Sequence, residues 1–157
     1  MAQSKSKANH EKTIIWIAAL IGLLVSGYLA YVKLFNAPIY CTPGLGDCES
    51  VNSSQWSSLW GIPVAILGFL SYLAILFLVL LGPKIALIRK YSSLFIFGIS
   101  LFGFLYSLYL TFLELFVIKA LCQWCIISAL CMTAIFIASI FLIRRKQDLN
   151  NNNRRIN

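Results

Sequence analysis

Five cysteines in 157 residues carry the most specific chemistry in this chain. Cys122 and Cys125 make a C-x-x-C pair, Cys41 and Cys48 share a polar segment, and Cys131 stands alone. At positions i and i+3 of a helix two sulfurs can meet, and the helix N-terminus stabilises a thiolate, so a C-x-x-C at a helix start is a dithiol redox arrangement. A second pair that reaches the first makes a relay, in which each thiolate attacks the preceding disulfide. Two other uses compete with a relay. Cysteine pairs serve as structural staples in an oxidising compartment, and four cysteines can hold zinc tetrahedrally. The six residues between Cys41 and Cys48 exceed the two to four usual in zinc sites, and an oxidising compartment competes for the thiolates.

The elements that position these thiols follow from composition. Hydrophobic residues make up 60% of the chain and charged residues only 11%, against roughly 45–50% and 25% in soluble domains. An ordinary soluble domain is excluded, and the net charge of +8 points to a membrane in place of a nucleic acid. Charge-free stretches run from Thr13 to Val32, Ile62 to Pro83, Tyr91 to Leu113 and Ala120 to Ile143. Each reaches the ~20 residues that cross ~30 Å of hydrocarbon as a helix, and none shows the alternation of barrel strands. The expected fold is an all-α integral membrane four-helix bundle, with spans over residues 13–34, 62–83, 91–113 and 120–143 forming one membrane domain, 13–143. A basic N-terminus, residues 1–12, and a basic polar tail, residues 144–157, flank it.

Charge orients the spans, because basic flanks stay on the cytoplasmic side. Lys5, Lys7, Lys12, Lys84, Arg89, Lys90, Arg144, Arg145, Lys146, Arg154 and Arg155 all fall on one side; Lys33 and Lys119 fall on the other, with Asp47, Glu49 and Glu114. Both termini are expected in the cytoplasm and both cysteine-bearing loops outside, in a cell (inner) membrane. The first apolar run also resembles a signal peptide, but it is long for one and no small-x-small cleavage site follows it. The Asn-rich tail reads as a short disordered end.

The long outer segment, about Phe35 to Gly61, is expected to carry a short helix lying along the membrane surface, with Asp47 as N-cap and Cys48 in its first turn. Trp56 and Trp60, at i and i+4, would share one face of it. Pro63 then begins the second span. The second outer segment reads as a tight turn near Glu114 to Leu121. From Cys122 to Arg144 is 22 residues, about 33 Å of helix, so Cys122 lies at the outer boundary and Cys125 one turn deeper. Cys131 lies ~9 Å below Cys125, rotated by about 240°, and reads as packing. Glu114 is the ionisable suspect for a transporter; its place near a span end marks a helix boundary instead.

Taken in order, Cys41 and Cys48, the run Ser53-Ser54-Gln55-Trp56, Gly61-Ile62-Pro63 and Cys122-x-x-Cys125 resemble the vitamin K epoxide reductase family, in particular its bacterial quinone-reducing members. The resemblance spans Thr13 to Ile143. It implies that Cys41 exchanges with a thioredoxin-like extracytoplasmic partner, that Cys48 relays to Cys122, and that Cys125 passes electrons to ubiquinone or menaquinone, with Ser54 beside it orienting the reacting groups. Cys125 and Ser54 would thus be the quinone-binding residues. Phe69, Tyr72, Phe104 and Tyr106 are aromatic candidates for the ring pocket. Where vertebrate members carry Thr-Tyr-Ala after the C-x-x-C, Cys125 is followed by Ile126, Ile127, Ser128 and Ala129, which sets epoxide reduction apart from the expected reaction. Some bacterial members continue into a fused thioredoxin-like domain; this chain ends 14 residues after Ile143, so the partner is expected to be a separate protein. The implied function is thiol:quinone oxidoreduction by a monomer in contact with lipid and quinone, with no nucleic acid. The alternative is a non-catalytic membrane subunit with structural disulfides or a four-cysteine zinc site in its outer loops.

Overall fold

The computed structural model describes residues 2–42, 46–59, 61–82 and 86–156. Four long helices dominate it: α1 (Ala2–Phe35), α3 (Val64–Leu81), α4 (Ala86–Leu113) and α5 (Gln123–Ile156). A short helix, α2 (Cys48–Ser53), lies between α1 and α3. The stretches His10–Phe35, Val64–Leu81, Tyr91–Ile118 and Gln123–Arg145 are long and apolar enough to cross a membrane. In hydrocarbon each must satisfy its own backbone, and helices do so internally. Each long helix packs on two others, α1 on α3 and α5, and α4 on α3 and α5, which closes a four-membered ring.

The core of that ring is apolar and closely packed. Ile15, Ala18 and Ala19 of α1 meet Tyr72, Ile75 and Leu76 of α3, Ile96 of α4, and Met132, Ile135 and Ala138 of α5. Small residues set the approach of the helices. The Tyr72 ring occupies the space a Cβ at Gly22 would need, 2.3 Å away, and Met132 does the same at Gly103, 2.8 Å away. From the far side of Gly22 the Tyr72 hydroxyl crosses the bundle and donates to the Ser128 carbonyl of α5 at 2.7 Å. Large apolar side chains such as Leu24, Phe77, Phe102 and Leu130 face outward, a surface that suits lipid and not water. At one end, Arg145 pairs with Glu11 at 3.0 Å and ties α5 to α1.

Three expectations are corrected. The tail is not a loose end: α5 continues as helix to Ile156, since no Gly or Pro follows the apolar run and each added residue extends a helix already nucleated. The second outer segment is not a tight turn from Glu114; a π-helical turn, Glu114–Ile118, prolongs α4, and the chain reverses only at Lys119, in the left-handed region at φ 56°. The surface helix does not extend to Trp56. It stops at Ser53, because Ser53 and Ser54 turn their hydroxyls back onto the carbonyls of Glu49 and Val51, and Ser54 is extended. Trp56 sits instead in a 3-10 turn, Gln55–Ser57, followed by a minimal hairpin of β1 (Ser58–Leu59) and β2 (Ile62–Pro63). Trp60, Pro83 and Lys84 lie outside the described residues. Pro63 precedes α3 as its N-cap, where its missing N–H costs nothing.

The Gly22–Tyr72 contact gives a stability test. Gly22→Ala forces a Cβ against a ring anchored at its hydroxyl and should destabilise the protein by about 1–3 kcal/mol, read as a lowered unfolding temperature in detergent. Gly27→Ala, whose Cβ would lie 3.4 Å from Phe69, should leave that temperature nearly unchanged.

Candidate thiol–disulfide site

The α2 turn holds one cysteine pair. Asp47 is its N-cap as the sequence predicts: the Ser50 N–H donates to the Asp47 carboxylate at 3.1 Å, and the Ser50 hydroxyl donates to the other oxygen. Those bonds, the hydroxyl first, hold the Asp47 carboxyl below the ordinary carboxylate range. At the other end of the turn the Lys33 ammonium donates to the Asn52 carbonyl and to the Ser57 hydroxyl, a cation at the negative end of a helix. Cys48, at the first position of α2, is bonded to Cys41, with Cα atoms 6.0 Å apart.

The segment leading to Cys41 is fastened to the bundle by side chains. The Tyr28 hydroxyl of α1 accepts from the Tyr40 N–H at 3.0 Å, and the Trp124 indole N–H of α5 donates to the Tyr40 carbonyl at 2.8 Å. The Tyr28 and Trp124 rings are in contact, 5.1 Å between centroids. Gln123 accepts from the Thr42 N–H at 3.3 Å. On the other side of Cys41, Gly46 lies against the turn that precedes the C-x-x-C: a Cβ there would stand 2.1 Å from the Leu121 carbonyl oxygen, and φ is +147°. Only glycine lets the loop approach that closely.

The second pair occupies the first turn of α5. The Ile126 N–H bonds to the Cys122 carbonyl at 3.0 Å, so Cys122 is the residue that opens the helix, and the Cys125 N–H points at its sulfur at 3.4 Å. Hydrogen bonding from the Cys125 side chain, aided by that N–H and opposed by burial and by the Glu114 charge, holds the Cys122 thiol below its ordinary range. Both Cys122 and Cys125 are free thiols. The two pairs converge: Cys48, Val51 and Cys122 are buried together, with Cys41 and Cys125 packed against them. Cys48 and Cys122 are each 1% exposed, so exchange between them would be shielded from bulk thiols.

Below the pairs a cavity of about 180 Å³ opens among the four long helices, with Cys122 and Cys125 on its wall. Ser54 lines it from the loop, its hydroxyl bonded to the Val51 carbonyl at 2.8 Å. Of the four aromatic candidates, Tyr72 and Tyr106 line the cavity. Phe69 packs over Gly27, and Phe104 stacks on Phe136 at 5.0 Å. Cys131 is packed on the central core, apart from the cluster, as its helical position predicts.

The structure adds residues that the sequence reading did not place at the site. Glu114, read as a boundary marker, is 4% exposed and accepts the Cys122 N–H at 3.2 Å. Its signal was present in the sequence as a carboxylate eight residues before the C-x-x-C. Lys33, Tyr28 and Trp124 carry no comparable signal, because their partners lie in a remote loop and are chiefly its backbone groups.

Fold and site together define a helical membrane protein whose chemistry is thiol–disulfide exchange at one end of a four-span bundle. The sequence profile of the vitamin K epoxide reductase family matches residues 13–140, and the chain belongs to that family. The thiol-disulfide oxidoreductase LTO1 of Arabidopsis thaliana is 32% identical over 50 residues, which are 32% of this chain and 13% of that protein. The match thus spans about one eighth of the relative's length.

The close approach at Gly46 predicts the effect of a single methyl group. In protein with Cys41 and Cys125 replaced by Ala, oxidation should join Cys48 to Cys122. Adding Gly46→Ala should slow that bond by ~10-fold or more, as a misplacement near 1 Å does in positioned reactions. Non-reducing gels resolve the two species over time.

Proposed function

We propose that the chain is a membrane thiol:quinone oxidoreductase that reoxidises a thioredoxin-like extracytoplasmic protein. The observation that carries this reading is the burial of Cys48 and Cys122 in one cluster, with Cys125 on the wall of a cavity below. A reduced partner gives its two electrons to the Cys41–Cys48 disulfide through attack on Cys41. The Cys48 thiolate then attacks a Cys122–Cys125 disulfide at Cys122, which releases Cys125 as a thiolate. Closure of the Cys41–Cys48 bond frees Cys122, and the reduced pair carries the electrons at the cavity.

The cavity fits a quinone ring by the chemistry of its wall, which is chiefly apolar and is rimmed by Tyr72, Tyr106 and the Ser54 hydroxyl. A quinone bound there supplies a lipid-soluble acceptor of two electrons and two protons. Cys125 and Ser54 are the groups of this chain that would meet it. The one-sided distribution of basic residues, among the thirteen in the chain, supports cytoplasmic termini and an outward-facing site in a cell (inner) membrane. Cys41 is half-buried where its partner Cys48 is buried, so a separate soluble partner would reach the disulfide at Cys41.

Purified protein supplied with a reduced thioredoxin-like donor and a soluble quinone should turn over, and Cys125→Ala should bring the rate to background. Turnover that survives this substitution sinks the scheme. In cells, Cys48→Ala should trap a mixed disulfide through Cys41 with an extracytoplasmic protein, identified by mass spectrometry; a cytosolic protein in the trap would reverse the orientation. Cysteines that stay unchanged with every donor, and no quinone reduction, would leave them as staples.

A further inference from the structure

Oxidation of a dithiol releases two protons, and the walls of this cavity offer few groups able to take them. The charged and titratable side chains on the wall are Lys33 from α1, Tyr72 from α3, Tyr106 and Glu114 from the α4 side of the ring, and Cys122 and Cys125 from the α5 side. Lys33 donates to Asn52 and Ser57, and the Tyr72 hydroxyl donates to the Ser128 carbonyl. Among the described residues Glu114 is the one carboxylate on the wall. It is buried, and no Lys or Arg pairs with it among the described residues. The other acidic residue within a span, Glu11, has Arg145.

Its position is specific. Glu114 opens the π-helical turn Glu114–Ile118, a departure from α-helix that widens the end of α4 and turns the side chain toward the start of α5; such turns recur at functional sites. One carboxylate oxygen accepts the Cys122 N–H, and Cys125, whose own N–H points at the Cys122 sulfur at 3.4 Å, shares the cavity wall with the carboxylate. The groups that share this end of the cavity with Cys125 and can take its proton are the Cys122 sulfur and Glu114. Once the Cys122 sulfur enters the disulfide it can no longer hold a proton, and only the carboxylate remains.

We propose that Glu114 is the proton acceptor of Cys125: it takes the thiol proton as the membrane pair is oxidised and holds it at the cavity wall. The step is Cys125–SH plus Glu114–COO⁻ giving Cys125–S⁻ plus Glu114–COOH, with no change of electron count. Formation of the Cys122–Cys125 bond then releases two electrons to the acceptor, a quinone on the reading above. The two protons that complete a quinol come from Glu114 and from the Cys122 thiol. The inference rests on that reading for the identity of the acceptor, and on the cysteine pair alone for the proton.

The test uses the full chain in detergent, with two substitutions. Glu114→Gln keeps an oxygen for the Cys122 N–H but cannot take a proton, whereas Glu114→Asp keeps the carboxylate. In reduced protein carrying Cys122→Ser, the alkylation rate of Cys125 is followed against pH by mass spectrometry of its peptide. Two titration steps are expected, one from each member of the coupled pair. Glu114→Gln should leave one step and Glu114→Asp two. With all cysteines present, Glu114→Gln should lower quinone reduction by ~10²-fold or more near neutral pH, with the loss shrinking as pH rises, and Glu114→Asp should recover part of the rate. A single step in the Cys122→Ser protein, or a Gln variant with unchanged profile, overturns the proposal even if turnover falls, since a purely structural role would lower turnover alone. Should the Gln variant fail to fold, one step in the Asp variant overturns the proposal and two steps support it. Profiles that change as expected in a protein that reduces no quinone leave the proton acceptor standing and remove the quinone reading.

Discussion

Irregular backbone at the edge of hydrocarbon has no water to bond to, and every N–H and C=O that leaves a helix there needs a partner from the protein. The redox end of this molecule is built to meet that requirement. Asp47 takes a free N–H of the α2 turn and Lys33 a free carbonyl; Tyr28 and Trp124 take the two polar groups of Tyr40; Gln123 takes the N–H of Thr42; Glu114 takes that of Cys122. Most of these bonds fix a short piece of loop against a long helix. The cysteines sit close in the chain to almost all of them, so the same bonds that make an irregular segment tolerable at the membrane surface also set where the sulfurs are.

That arrangement places opposing influences on one thiol. The first turn of α5 and the Cys125 side chain favour charge on the Cys122 sulfur, while burial and the nearby Glu114 carboxylate disfavour it. A low-dielectric site holds one negative charge more readily than two. The Glu114 carboxylate bonded to the Cys122 N–H therefore weighs against a second negative charge on the sulfur beside it.

Much of this was legible in the sequence. Four spans followed from run length and charge alone, because hydrocarbon thickness is a strong and simple constraint. The Asp47 cap was legible because N-capping is local, fixed by the residues that immediately follow. The C-x-x-C announced its place on α5 for the same reason. What escaped depended on distance or on competition. Glu114 looked like a boundary marker because sequence position cannot show that α4 runs on through a π turn and faces Cys122. The helix around Trp56 was misread because serine hydroxyls compete for the backbone bonds that would have continued it. The tail reads as disordered from composition, whereas an adjoining span extends helix into residues that would not start one.

The two ties between α1 and α5 differ in kind but act together. Tyr28 on Trp124 holds these helices at the cysteine end, and Glu11 with Arg145 holds them at the other. Between those points α1 and α5 pack along their length, like the bound edge of a book. The opposite seam, between α3 and α4, is the thinnest of the four, and the cavity wall there is made by Gly68 and Ser71 facing Phe102 and Gly103. On the proposed reading, that seam, with Gly68, Ser71 and Gly103 on it, is where a flat guest from the bilayer would come nearest the cavity, opposite the edge on which α1 and α5 are tied.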